Sequence, residues 1–264
     1  MTTIFAGKDF ARELEQKTHI KVKRLVEKGV RPKLVSILVG DDPGSVLYTN
    51  LKKQAAQRVG IDFETLRYPA EVPISRLSGK IKELNGDDKV HGIMVQLPLP
   101  GKLKSVTEYL VNQIAPKKDV DGLTNDSPYI SATVKAILEI LDQSPIANYL
   151  SPKICVVGAS GAVGNPLVKE LKKRYSDLVG CNSKTRDLGA VTKTADVLIS
   201  AAGVPGLVKA DMVKDGAIVI DVGSPKGDVD PVVLTKASFV TPVPGGVGPV
   251  TISCLLENLV SACK

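Results

Sequence analysis

The stretch KICVVGASGAVGNPLVKELKKR at residues 153–174 decides the fold. Its opening, ICVV, is a short unbroken apolar run and reads as a strand buried on both faces. Its close, NPLVKELKKR, spaces apolar residues among charges as a helix does. Between them Gly158, Gly161 and Gly164 make a turn. Glycines there let the chain turn tightly and bring its backbone close to a phosphate, toward which the next helix presents its positive end. Strand, glycine turn and helix in that order is the context a dinucleotide site requires. The alternative is a glycine turn that only packs a helix on a sheet.

Working outward, DLVGCNSKT (177–185), ADVLISAAG (195–203) and GAIVIDVGS (216–224) read as three further buried strands. The chain ends in TPVPGGVGPVTISCLLENLVSACK (241–264), a Pro/Gly loop and then a helix. Upstream, helical spacing covers residues 10–30, 45–59, 75–84 and 106–114. Apolar strands fall at 32–42, 61–68 and 90–100, and Gly60 is placed to end the second helix. PKKDVDGLTNDSP (116–128) is polar and reads as a linker, followed by a helix over 132–141. The expected fold class is therefore α/β, two domains with parallel sheets hinged near residue 120. Ligands of such folds bind outside the carboxyl ends of the strands, usually in a cleft.

The 264 residues suffice to bury a core, and 43% hydrophobic with 24% charged residues argues against wholesale disorder. Lys and Arg exceed Asp and Glu by 35 to 28, a formal charge of +7. With two histidines, His19 and His91, a multi-histidine metal site is excluded, and no metal is expected. His91 reads as a strand-edge residue and His19 as an exposed helix residue. The six Tyr, four Phe and absent Trp argue against a stacking-based single-strand nucleic-acid binder. Cys155, Cys181, Cys254 and Cys263 form no C-x-x-C pair, and Cys155 reads as a small core residue. No secretory signal and no membrane span is evident, so a reduced, cytoplasmic compartment is expected.

The end of the strand after the glycine turn bears on the cofactor. An NAD site places Asp or Glu there for the ribose 2′-OH. This chain has Cys181-Asn182-Ser183-Lys184-Thr185-Arg186, with two cations and no carboxylate. NADP is favoured over NAD, although Lys184 and Arg186 also suit an ordinary solvated turn.

Candidate chemistry lies in the first half. Tyr48 and Lys52 are four residues apart on a predicted helix and share a face; on spacing alone they read as a surface pair. Gln96 closes an apolar strand just before Leu97-Pro98-Leu99-Pro100, where a polar side chain points toward the usual ligand crevice. Asp119 and Asp121 flank Val120, and the default for Asp beside Gly is to cap a turn.

Together these segments resemble the bifunctional methylenetetrahydrofolate dehydrogenase/cyclohydrolase family. The resemblance rests on Ser45-Val46-Leu47-Tyr48 with Lys52, GIMVQLPLP (92–100), KDVDG (118–122), GASGAVGNP (158–166), CNSKT (181–185), ADVLISAAG, GAIVIDVG and TPVPGGVGPVT. They follow the family's order over nearly the whole chain. The resemblance implies an N-terminal folate-binding domain over 1–118, with the final helix, 249–264, packing back on it. It implies a Rossmann-like NADP-binding domain over 119–248 and a homodimer through the nucleotide domains. Lys52 matches the essential lysine, Gln96 its partner, Tyr48 the tyrosine beside the folate rings and Asp121 the carboxylate that holds the pterin. Leu97, Pro98, Pro244, Gly245, Gly246 and Pro249 fall on substrate-binding segments. Gly158, Ala159, Ser160, Gly161, Val163, Gly164, Ser183 and Ser224 fall on the cofactor's.

Two departures from the family pattern stand out. Ala159 replaces an arginine credited with gripping the 2′-phosphate. Ser131-Ala132-Thr133-Val134-Lys135-Ala136 replaces a Pro-Cys-Thr-Pro-x-Gly segment, shortening the connection after Asp121. The implied activity is oxidation of 5,10-methylenetetrahydrofolate with NADP⁺, then hydrolysis of the methenyl product to 10-formyltetrahydrofolate. That places the chain in one-carbon metabolism and purine biosynthesis. The rival readings are a shikimate-type NADP dehydrogenase of a small keto acid, a non-enzymatic dinucleotide-binding module and a basic nucleic-acid binder.

Overall fold

A computed structural model of the chain describes residues 1–263. In chain order the strands are β1 Thr3–Ile4, β2 Lys33–Val39, β3 Asp62–Tyr68, β4 Gly92–Val95, β5 Ile154–Val157, β6 Leu178–Cys181, β7 Val197–Ser200, β8 Ile218–Asp221 and β9 Phe239–Val240. The α-helices are α1 Gly7–Glu27, α2 Pro43–Val59, α3 Ile74–Gly86, α4 Thr107–Val111, α5 Ala132–Gln143, α6 Gly164–Leu171, α7 Leu188–Thr192 and α8 Val247–Ala262. The chain divides into two compact units. One is Ala11–Ala132 with the chain from Ile252 onward; the other is Met1–Phe10 with Thr133–Thr251.

In the first unit three parallel strands are ordered β3-β2-β4. The central strand, KLVSILV, is apolar almost throughout because both of its faces are covered. Val35, Ile37 and Val39 join Ile93 and Val95 against Leu77, Ile81 and Leu84 of α3. Leu34, on the opposite face, joins Met94 against Ala55, Ala56 and Val59 of α2 and Leu255, Leu256 and Leu259 of α8. The return of the final helix to the first unit is thus accounted for by an apolar face that α8 alone would expose. Asn258 adds two bonds, its Nδ2 donating to Val120 O and Ile130 O at 3.0 Å each.

The expected linker is largely built into this unit. Asp119 is 1% exposed and Val120 fully buried. Asp119 accepts from Gly122 N, Thr124 N and Thr124 Oγ1, at 3.1, 2.8 and 2.9 Å. The division therefore falls after Ala132 rather than after residue 118. The expected helix over 106–114 is also corrected. A 3₁₀ segment, Gly101–Val106, precedes a five-residue α4. Ser105 and Thr107 hydroxyls donate back to Lys102 O and Lys104 O there, competing with a regular helical ladder.

The second unit is a six-stranded parallel sheet ordered β1-β9-β8-β7-β5-β6. From β5 the chain steps outward to β6 and returns to the other side at β7. That reversal makes a topological switch point beside the end of β5. Cys155, Val157, Leu198, Val219 and Val240 are buried on the sheet. Among the described residues no disulfide joins the four cysteines, and Cys155 and Cys181 place their sulfurs 3.6 Å apart in that core. The N-terminal residues belong here and not to the first unit, because β1 pairs with β9 and Phe5 packs its ring 5.6 Å from that of Phe239.

Candidate active site

The first constellation is built on α2 and the end of β4. Asp42 caps α2, accepting from Ser45 N, and Pro43 occupies the first turn, where its missing N–H is no loss. That start lies two residues before the one expected from spacing. Gly60, with φ +83°, ends the helix as expected. The inward stripe Ser45, Thr49, Lys52, Ala55, Ala56 and Val59 puts one lysine on an otherwise small and apolar face.

Lys52 is 8% exposed and Gln96 9%. Lys52 Nζ donates to Gln96 Oε1 at 3.0 Å. Gln96 is fixed in turn: its backbone N donates to Ile37 O at 2.9 Å and its Nε2 to Leu97 O at 2.8 Å. The side-chain amide therefore presents its oxygen, and only its oxygen, to the lysine. Burial pushes the Lys52 ammonium below the usual lysine range, and the nearby Asp121 carboxylate partly opposes that. Burial pushes the Asp121 carboxyl up, with Lys52 opposing and Asp119 reinforcing. Asp121 keeps part of its residue surface open, so protein crowds its carboxyl while leaving an approach.

Asp121 is positioned by a doubling-back of the chain. Ala132 N donates to Asp121 O at 3.1 Å, and Gly122, at φ +69°, lies so close to Ser131 that a Cβ would sit 2.6 Å from its Cα. Of the adjacent acids, Asp119 caps the turn and Asp121 faces Lys52. The stretch in place of the Pro-Cys-Thr-Pro-x-Gly segment opens helix α5, with Ala132, Val134 and Ala136 fully buried. Tyr48, one turn before Lys52, is half-buried, as is Leu97; Pro98 is exposed. The surface-pair reading holds for neither Tyr48 nor Lys52.

The second constellation lies in the other unit, at the switch point. Gly158 has φ +82° and lies against Ala201 O, and Gly164 lies against Gly158 O; neither position has room for a Cβ. Gly158 N and Ala159 N both donate to Cys181 O at 2.9 Å, tying the turn to β6. Gly161 N closes it on Gly158 O at 2.9 Å. Val163 precedes α6 and no side chain caps the helix. These features fit a dinucleotide pyrophosphate: a backbone cradle that side chains would fill, followed by a helix N-terminus that no side chain caps, although Asn165 N is already spent on Gly161 O at 3.0 Å.

At the end of β6 the turn is held by Thr185 Oγ1, which accepts from Asn182 N, and by Asn182 Oδ1, which accepts from Lys184 N. Ser183, Lys184 and Arg186 are exposed there, and the nearest acid, Asp187, is engaged as the cap of α7. Ala159, beside Gly180, is half-buried, and Ser160 and Ser224 are exposed. Pro244, Gly245, Gly246 and Pro249 run into α8; Gly246 N donates to Pro242 O at 2.8 Å, and Gly7 packs without a gap against the Gly245 and Gly246 carbonyls. A cavity of about 500 Å³ elsewhere in this unit is lined by Ile4, Pro205, Asp221, Val233, Val240 and Pro242. It includes neither the glycine turn nor Lys52, so neither step is placed in it. Among the described residues no His, Cys, Asp and Glu group suits a metal ion, and no helix is long and apolar enough to cross a membrane.

One parallel α/β unit with a glycine turn at its switch point and another with a buried, amide-held lysine is the plan of a nicotinamide-linked enzyme. Residues 5–121 match the family described as Tetrahydrofolate dehydrogenase/cyclohydrolase, catalytic domain, and residues 131–264 its NAD(P)-binding domain. The chain belongs to this family. It is 42% identical over 283 aligned residues to Bifunctional protein FolD of Exiguobacterium sibiricum, covering 100% of each chain. Its fold matches the FolD methylenetetrahydrofolate dehydrogenase/cyclohydrolase of Campylobacter jejuni with a TM-score of 0.91 and 35% identity, over 100% and 99% of the two chains. It matches the Trypanosoma brucei enzyme, solved with NADP cofactor and inhibitor, with a TM-score of 0.90 and 30% identity, over 99% and 97%.

Proposed function

We propose that Lys52, Gln96, Tyr48 and Asp121 form the folate-handling centre of this bifunctional NADP-dependent methylenetetrahydrofolate dehydrogenase and methenyltetrahydrofolate cyclohydrolase. The observation that carries the reading is Lys52 itself: a buried lysine, held by an amide oxygen at 3.0 Å and with its ammonium disfavoured by burial. Burial shifts such a lysine toward the neutral amine, the form that can act as a base.

In the hydrolytic step water adds to the methenyl carbon, a cation shared between two ring nitrogens. Neutral Lys52 takes the proton from that water as the C–O bond forms. The proton then passes to the nitrogen whose bond to that carbon breaks as the ring opens, while the carbinol O–H gives up its own proton to solvent as the C=O forms, leaving 10-formyltetrahydrofolate. Gln96 fixes Lys52 through its oxygen and cannot take the proton. Asp121 accepts hydrogen bonds from the amino-pyrimidine edge of the pterin, and Tyr48 packs beside the rings with Leu97 and Pro98. Pro244, Gly245, Gly246 and Pro249 are read as further substrate-binding positions.

Gly158, Ala159, Ser160, Gly161, Val163, Gly164, Ser183 and Ser224 would hold NADP. When bound, its nicotinamide accepts the hydride of the methylene bridge. The exposed Lys184 and Arg186, with no carboxylate before Asp187, favour the 2′-phosphate where Ala159 offers no cation. The reading extends to a cytoplasmic enzyme whose product serves purine biosynthesis. It also includes a homodimer through the nucleotide-binding unit, supported by exposed Ile4, Val204, Val232 and Leu234 on that unit. Mixing the protein with methylenetetrahydrofolate and NADP⁺ or NAD⁺, while following reduced nicotinamide and methenyl absorbance, tests the central reading. Reduction that requires NADP⁺ and hydrolysis of the methenyl product are expected; absence of both would refute it.

A further inference from the structure

Two buried acids at the carboxyl edge of the six-stranded sheet are left over by the mechanism. Asp221 ends β8 and is 3% exposed; Asp228, seven residues on, is fully buried. Asp228 Oδ2 alone gathers three donors: Ser200 Oγ at 2.9 Å, Ala202 N at 2.7 Å and Gly203 N at 3.1 Å. Its Oδ1 is buried without a hydrogen-bond partner. Asp221 makes the matching set on the neighbouring loop. Its Oδ1 accepts from Gly223 N at 2.8 Å and from Asp228 N at 3.0 Å, and its Oδ2 from Val229 N at 3.0 Å.

The two carboxylates thus tie down the loops that leave β7 and β8. The β7 loop is also the floor of the glycine turn, because Gly158 packs directly on Ala201 O and the Ala202 backbone. From Asp228 to the glycine turn the path is two links long: carboxylate to the Ala202 and Gly203 amides, then Ala201 to Gly158. A buried carboxylate with one oxygen unpaired is an unfavourable way to hold a loop for stability alone. It is a strong way to fix two amides, since bonds to a charged acceptor are about twice as strong as neutral ones.

We propose that Asp228 is a positioning residue for NADP. Through the β7 loop it sets the height of the floor on which Gly158 rests, and so the shape of the phosphate cradle. This rests on the reading that the glycine turn binds NADP. Asp228 touches no cofactor atom in this account; it acts through Ala201–Gly203.

The hydrolytic step consumes no nucleotide, so the same protein carries its own control. NADP affinity and cyclohydrolase activity are to be measured side by side for Asp228→Ala, Asp228→Asn and Ser200→Ala. Losing three bonds to a charged acceptor in Asp228→Ala should weaken NADP binding by about tenfold or more. At saturating NADP⁺ the dehydrogenase kcat, and in the absence of nucleotide the cyclohydrolase rate, should stay within about twofold. Asp228→Asn, whose amide oxygen still accepts the three donors, should recover most of the affinity. Ser200→Ala, which removes one donor and serves if Asp228→Ala fails to fold, should weaken NADP binding by about threefold. Unchanged NADP affinity in these variants would overturn the inference, as would a parallel fall in cyclohydrolase. Failure of the unaltered protein to bind NADP would overturn it together with the function on which it rests.

Discussion

At Lys52 two opposing forces act on one proton. Desolvation drives the ammonium toward neutrality and Asp121 holds it charged. If the neutral amine is the base, cyclohydrolase activity must rise with pH through the depressed Lys52 pKa and then level off. The partner effect has a definite sign. Asp121→Asn removes the negative charge that favours the ammonium, so the Lys52 pKa falls further and the rising limb moves to lower pH. The same change raises the folate KM, since an acceptor for the pterin is lost. A pH–rate profile of methenyl hydrolysis, corrected for the uncatalysed rate, checks both; a limb that stays put or moves upward contradicts the assignment. The types of these residues were legible in sequence, but their burial was not. Tyr48 and Lys52 four apart on a helix look the same on an open surface. The partner that holds Lys52 inside is the amide of Gln96, 44 positions away, and no local spacing carries that. Asp119 and Asp121 were likewise alike by spacing, and only the family resemblance singled out Asp121; the turn closes on Asp119.

Among the elements, the strand–glycine turn–helix at 153–174 was legible except for its end, where α6 stops at Leu171, because close approach and tight turning demand glycine and leave a local mark. Its tightness makes a prediction. Gly164→Ala puts a Cβ against Gly158 O, so it should destabilise the nucleotide-binding unit by about 1–3 kcal/mol and abolish measurable NADP binding. Cyclohydrolase should persist. Isothermal titration with NADP and a nucleotide-free hydrolysis assay test this, and retained NADP affinity would count against the cradle. The short elements were the illegible ones. β1 and β9 have two residues each, below the length at which periodicity has meaning. In the segment 116–128, polar residues read as a linker, but Asp119 uses its polarity inward, on its own backbone.

For the whole molecule, sequence order and unit membership do not coincide. The first ten residues complete the sheet of the nucleotide-binding unit, while α8, from Ile252 on, completes the core of the other. An alternating α/β pattern predicts two parallel sheets, which the chain has, but not which terminus serves which sheet. Phe5 carries the first of these exchanges, with its ring near Phe10 and Phe239. Phe5→Ala should therefore cost about 3–5 kcal/mol. The loss should appear in urea unfolding followed by NADP binding and not in unfolding followed by methenyl hydrolysis. Equal loss by both probes would mean that the N-terminus serves the molecule in some other way.

In the proposed mechanism one buried lysine runs the hydrolytic step, while the nucleotide site is built from other residues. The most direct measurement is methenyltetrahydrofolate hydrolysis by Lys52→Met, with NADP binding measured on the same preparation. Hydrolysis is expected to fall by at least about a hundredfold, with NADP affinity unchanged. Hydrolysis at the unaltered rate in a variant that still binds NADP would contradict it.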